Sequence, residues 1–155
     1  MIDAIKSKNS DVLDYIFNHE SVFDGICDDT TKDTIFESAN LTPGDDIIFY
    51  ECRKNGETFG ALMFVQFRSH VMDAHCACLP HHRGKDFIDS TKMAINDIFK
   101  TTAVTSIIAF CIENNKKSMV FSRLCGFQRV GVVPESHIKN NKKMATVLYQ
   151  VAKGG

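Results

Sequence analysis

Residues 76–87 read Cys-Ala-Cys-Leu-Pro-His-His-Arg-Gly-Lys-Asp-Phe, an apolar run that ends at a proline, turns through a short basic stretch and enters a helical pattern. A strand, a tight basic turn and a helix start together make a place where phosphate can sit. Backbone N–H groups and the helix dipole point at the turn, and Arg83 and Lys85 add positive charge. Just upstream, Asp73 and His75 stand two apart and so share one strand face. A histidine beside a carboxylate can act as a general base near neutral pH. The plain alternative is two polar residues on a solvated strand face.

Other residues carry reactive groups without an arrangement to use them. Cys76, Cys78, His81 and His82 are of the types zinc prefers. Their spacing lacks a Cys-x-x-Cys knuckle, and strand alternation turns both thiols inward while the histidines fall on the turn, so no metal centre is expected. Cys111 and Cys125 have nucleophilic sulfur, but no His–Asp arrangement is tied to either. With Cys27 and Cys52 they read as reduced, mostly buried small hydrophobes. Lys116 and Lys117, and Lys139, Lys142 and Lys143, form two basic clusters that can steer an acidic ligand, although such clusters are more often solvated faces.

The elements that must position these groups follow from hydrophobic spacing. Residues 1–45 read as a helical N-terminal part: Val12, Leu13, Ile16 and Phe17 recur at helix spacing after a Ser10 cap, a second short helix follows Thr30 or Thr31, and residues 41–45 form a turn. Ile47 to Cys52 and Phe59 to Phe67 read as strands joined at Asn55-Gly56. His70 to Leu79 is a third strand. After the basic turn, Phe87, Ile88, Thr91, Ala94, Ile95, Ile98 and Phe99 form one apolar helical stripe. Val104 to Ile112 is a β-branched strand, and a helix from Asn114-Asn115 ends at Gly126. Phe127 to Val133 and Ala145 to Val151 close the fold as two strands around a polar loop, Pro134 to Lys143. The expectation is one α/β domain over 1–155, with residues 47–151 building a mixed, mostly antiparallel twisted sheet flanked by helices.

Composition sets the bounds. The chain has 155 residues, 44% of them hydrophobic and 24% charged, with a net charge of −1. That balance suits a globular domain with a real core and favours neither nucleic acid nor membrane as partner. The N-terminus shows no signal-peptide pattern, which points to the cytoplasm. An edge strand near the C-terminus could pair with a second copy.

The element order and two local motifs resemble the GCN5-related N-acetyltransferase superfamily over roughly Ile47 to Val151. The first motif is Pro80-His81-His82-Arg83-Gly84-Lys85, similar to the family's Pro-x-x-Arg-Gly-x-Gly turn. The second is Asn115 and Ser118 followed by Gly126-Phe127, which fits an Asn–helix–Gly-Phe pattern. The resemblance implies acetyl-coenzyme A as cofactor and a small or protein amine as acyl acceptor. It also implies a pantetheine arm between splayed strands and direct attack of the amine on the thioester. Arg83, Gly84 and Lys85 would hold phosphate, Asn115 would contact the pantetheine or adenine side, and Leu79, His82, Phe87 and Ser118 complete the implied coenzyme contacts. Asp73 or His75 falls near the base position.

Two departures follow. The turn's later small residues are replaced by Asp86 and Ile88. Asp86 would repel the pyrophosphate by about 1–4 kcal/mol near a surface. Acting as an N-cap, it would also occupy the N–H groups that phosphate needs. The usual tyrosine acid is replaced by Ser122, whose pKa is far too high for easy proton donation. These changes, and the ending Val151-Ala-Lys-Gly-Gly, also look similar to small acetyltransferase-like proteins of tailed bacteriophages. The resemblance to those implies an alternative: a catalytically silent interaction protein in virion head assembly, working in the host cytoplasm.

Overall fold

A computed structural model describes residues 1–22 and 46–155. The second helix and the turn expected over 30–45, and Cys27, lie outside the described residues. The elements are β1 (Ile2–Ser7), α1 (Ser10–Phe17), β2 (Ile47–Lys54), β3 (Glu57–Arg68) and β4 (Val71–Cys78). A 3₁₀ turn (Pro80–His82) leads into α2 (Lys85–Thr101), followed by β5 (Ser106–Ile112), α3 (Lys116–Leu124), β6 (Gln128–Lys139) and β7 (Lys142–Ala152). The seven strands form one sheet in the order β1-β2-β3-β4-β5-β7-β6. Every neighbouring pair is antiparallel except β4 and β5.

The helices cover opposite faces. α1 buries Leu13, Ile16 and Phe17 against Phe49, Ala61, Met63 and Ala77. α2 packs Phe87, Ala94, Ile95, Ile98 and Phe99 against the other face, on Tyr50, Leu62, Phe64, Met72 and Ile107. Strand alternation sorts the side chains between these two cores. On β4, Met72, Ala74, Cys76 and Cys78 face α2, while Asp73, His75 and Ala77 face the α1 side.

The strand faces and α2 agree with the sequence reading, and three local expectations change. The chain begins with a strand rather than a helix. β1 lies antiparallel on β2, tied by the Ser7 hydroxyl donating to Glu51 (2.7 Å) and the Met1 ammonium donating to Asn55 Oδ1 (2.7 Å). Glu51 is 3% exposed. Burial alone would raise its pKa, but hydrogen bonds from Ser7, Arg53 and Thr58 outweigh that and hold it below the ordinary value. The cap of α1 is Asn9, whose side chain accepts from Asp11 N–H, not Ser10. The segment Pro134 to Lys139 continues β6 through a register shift at Val133/His137 and turns at Asn140-Asn141, both with positive φ, directly into β7. A proline and a bulge disguise an edge strand as a loop.

Candidate active site

The chemistry gathers where the sheet opens. β4 and β5 pair only at Val71↔Ser106, Met72↔Ile107 and Asp73↔Ile108. Beyond that fork β4 continues to Cys78 and β5 to Ile112 without pairing to each other. Backbone direction along β4 is fixed by Leu79, whose N–H donates to Phe59 on β3 (2.9 Å). Alternation then turns the amides of Ala77, His75 and Asp73 toward β3 and those of Ala74, Cys76 and Cys78 into the opening. The same argument on β5, from Lys153 N–H donating to Thr105 (2.9 Å), turns Ile108, Phe110 and Ile112 into the opening from the other side. The opening is a slot lined by backbone donors and acceptors. Its border on the α2 face is narrow-shouldered, because Ala74, Cys76, Ala109 and Cys111 are small.

Because β4 and β5 are parallel and each is followed by a helix, α2 and α3 both begin at the mouth of this slot. Gly84 is the N-cap of α2, with φ 126° and ψ −139°, a backbone region essentially reserved for glycine. No side chain caps the helix. The first intrahelical bond runs from Ile88 N–H to Gly84 (3.0 Å). Among the described residues, the N–H groups of Gly84, Lys85, Asp86 and Phe87 therefore have no hydrogen-bond partner. A Cβ built at Gly84 would meet nothing within 4 Å, so the backbone is openly approachable.

Asp86 does not act as expected. It lies in the first turn of α2 rather than at the N-cap, and it leaves the helix N–H groups free. Its carboxylate accepts from Lys54 Nζ on β2 (2.8 Å) and stands 3.9 Å from His82 Nδ1. The Lys54 hydrogen bond holds its pKa below the ordinary value. The charge expected to repel phosphate is thus already matched by a cation.

The residues around the turn are tied into the fold. Arg83 donates through Nε to Cys78 O (3.4 Å) and through Nη2 to Ser21 O (2.9 Å), tying the chain just past α1 to the turn. Lys85 pairs with Asp89 one turn on and is exposed. The His82 ring stacks on Phe59 at 4.7 Å, and Leu79 is partly buried beside the α1 core. Phe87 is buried and stacks on Phe121 at 4.8 Å, locking the start of α2 to α3. Asn115 is the N-cap of α3, its Oδ1 accepting from Ser118 N–H (3.1 Å).

On the α1 face, His75 Nε2 is 3.1 Å from Asp73 Oδ2 at the fork. Asp73 Oδ1 is buried with no partner. An acceptor carboxylate at Nε2 favours the proton there and leaves Nδ1 as the basic nitrogen. Ser122 is not brought to this pair. It lies buried under the sheet on the α2 side, its hydroxyl 3.4 Å from Cys111 Sγ, a sulfur that also accepts from Ser118 Oγ (3.2 Å). Four of the thiols are not poised as nucleophiles. Burial pushes Cys52, Cys78 and Cys125 up to about 12 and holds Cys76 well above its ordinary value. Among the described residues, no cluster of His, Cys, Asp and Glu could hold a metal ion.

A family model described as "Protein of unknown function (DUF2824)" matches residues 15–155. The chain belongs to that family. No curated protein matches it. Among solved structures, the chain is similar to spermidine N-acetyltransferase from Vibrio cholerae in complex with CoA and spermine. The TM-score is 0.78 and the identity 12%, over 99% of this chain and 96% of that one. It is similar to ribosomal-protein-S5-alanine acetyltransferase from Vibrio fischeri at TM-score 0.73 and 15% identity, over 97% and 92% of the two chains. Microcin C7 self immunity acetyltransferase MccE, in complex with acetyl-CoA and AMP, matches at TM-score 0.63 and 17% identity over 75% of this chain. The chain spans 64% of the MccE chain. The fold of this DUF2824 member is that of the GCN5-related N-acetyltransferases. No described helix is long and apolar enough to cross a membrane.

Proposed function

We propose that the chain transfers an acyl group from acetyl-coenzyme A to a primary amine. The observation that carries the reading is the open N-terminus of α2, four unpartnered N–H groups at the mouth of a splayed strand pair. A pyrophosphate fits that chemistry: it accepts several backbone hydrogen bonds and gains from the helix dipole. An extended arm carrying amide groups fits the slot, whose backbone donors and acceptors have lost their strand partner. Gly84, Lys85, Asp86 and Phe87 would hold the phosphates through their N–H groups. Lys116 and Lys117, exposed at the start of α3, add positive potential at the same end. Arg83, Leu79, His82 and Asn115 act one step back, by fixing the turn and the two helix starts.

When bound, acetyl-coenzyme A supplies the acyl thioester, whose C–S bond breaks as the C–N bond to the amine forms. Helices α2 and α3 cover one face of the slot, so the amine enters from the α1 face, where Asp73 and His75 stand. His75 Nδ1 takes the proton that the amine loses and passes it to water, while Asp73 holds the imidazole and balances its charge. Water in the opening supplies the proton for the departing sulfur, since Ser122 is buried against Cys111. A positioned base of this kind contributes about 10²–10⁴-fold. The comparison proteins whose names give acceptors include one for spermidine and one for a ribosomal protein, so both small-molecule and protein amines are within the reading.

The test is thiol release from acetyl-coenzyme A in the presence of phenethylamine, spermidine or a lysine-containing peptide. Wild type is expected to turn over at least one of them. His75→Ala should lower kcat by about 10²–10³-fold while coenzyme affinity stays within about twofold. Equal kcat in both proteins would remove His75 from the mechanism. A catalytically silent interaction protein, including one serving in bacteriophage head assembly, is the rival, and it predicts no turnover with any amine.

A further inference from the structure

We infer that Phe110 selects the acyl acceptor, and that the acceptor is a primary amine on a short apolar or aromatic stem, the stem lying on Phe110 while the nitrogen meets His75. The inference rests on the acetyl-transfer reading above. Its basis is the register across the α1 face of the sheet. One cross-strand row runs Ser7, Phe49, Met63, His75 on the β1–β4 half and Phe110, Leu148, Gly131 on the β5–β7 half. Asp73↔Ile108 is the last β4–β5 pair, so His75 and Phe110 are the next residues on this face, one on each side of the opening. They are the gateposts through which an amine reaches the slot.

The two halves of the row differ. Phe49 and Met63 are buried under α1. Phe110 is 42% exposed and belongs to neither buried core. Leu148 beside it is partly buried, and at Gly131 no side chain rises above the shelf. An exposed phenyl ring across the opening from a base, on a strand otherwise packed, offers a flat apolar surface on the same face as the basic nitrogen. The chemistry of the shelf narrows the occupant. On this face β5 presents Ile108, Phe110 and Ile112, and β7 presents Thr146, Leu148 and Gln150, none of them ionisable. Gln150 donates its amide to Ser106 (2.6 Å), which closes that end. Among the described residues, the carboxylate at the fork is Asp73, whose Oδ2 engages His75 and whose Oδ1 is buried. Among the described residues, β5 and β7 therefore offer no anion on this shelf to a second ammonium group, and a polyamine gains little from them that a monoamine with an apolar stem does not.

The experiment is calorimetric titration of phenethylamine and, separately, of spermidine into the full chain, with coenzyme A titrated alongside. Phenethylamine is expected to bind wild type at least tenfold tighter than spermidine. Phe110→Ala should weaken phenethylamine at least tenfold and erase that preference. Phe110→Tyr, which keeps the ring, should stay within threefold of wild type, and all three proteins should bind coenzyme A within twofold of one another. Equal affinity for the two amines, or a Phe110→Ala protein that binds phenethylamine like wild type, would overturn the inference. The amine titration needs no turnover, so it decides this inference separately: loss of coenzyme binding alone sinks the acetyl-transfer reading and leaves the amine result standing.

Discussion

α2 and α3 begin at the same end of the sheet, after two neighbouring parallel strands, and they begin differently. α3 is nine residues long and is closed by the Asn115 side chain, which satisfies Ser118 N–H. α2 is 17 residues long, starts at a glycine, and leaves its first four N–H groups without a partner among the described residues. A side-chain cap is worth about 1 kcal/mol, and a serine or aspartate at the start of α2 would be the ordinary solution. The longer helix tolerates the loss because Phe87, Ala94, Ile95, Ile98 and Phe99 anchor it in the main core. In the reading proposed above, that open start is where the coenzyme phosphates would be held. The neighbouring capped start shows what the same sheet end looks like without that demand.

Three substitutions break or sharpen this contrast. The largest effect belongs to Gly84→Ala. A Cβ forces a backbone of φ 126° into strain of about 1–3 kcal/mol and crowds the line of approach to the N–H groups. Coenzyme affinity should fall by about a hundredfold, which is about 2.7 kcal/mol, in calorimetry. A thermal melt alongside separates that loss from global unfolding. Asp86→Asn comes next and goes the other way. Removing a carboxylate near bound phosphate relieves charge repulsion, and Lys54 already offsets part of that repulsion. A roughly three- to fivefold tightening is expected, and a weaker complex would mean the carboxylate helps to order the turn. The smallest effect on binding is at α3. Asn115→Ala should cost about 1 kcal/mol of stability in denaturant unfolding. Because the Asn115 oxygen is already spent on its own helix, coenzyme affinity should change by no more than about threefold. A tenfold loss would make Asn115 a ligand contact after all.

Much of the frame was legible in the residues. The stripe of α2, the β-branched run of β5, the alternation on β4 and the Gly126 stop after α3 are local signals, and each describes an element that packs on its own terms. The proline-to-lysine turn at 80–85 was legible as a turn leading into a helix because strand, turn and helix start are contiguous. Failures came where the deciding partner is distant in sequence. Arg83 reads as a free cation, yet its donors go to Cys78 O and to Ser21 O, the latter 62 residues away. Asp86 reads as an N-cap, yet Lys54 on β2 claims its carboxylate. β1 is six residues long and gains its order from β2, so its own composition carries little strand signal. Pro134 and the Val133/His137 register shift hid the second half of β6 because edge strands carry the features of loops. His75 and Phe110 could be paired only once the β4–β5 register was known, since 35 residues and a helix separate them.

The central claim is that the open start of α2 is the anion cradle and the capped start of α3 is not. Backbone amide resonances followed during an acetyl-coenzyme A titration test it at both places in one experiment. The account predicts saturable shifts at Gly84, Lys85, Asp86 and Phe87 at coenzyme concentrations below about 1 mM, with smaller changes at Lys116 to Ser118. Unmoved Gly84–Phe87 amides at millimolar coenzyme, or shifts that fall on α3 instead, would contradict it and leave the fold without its coenzyme.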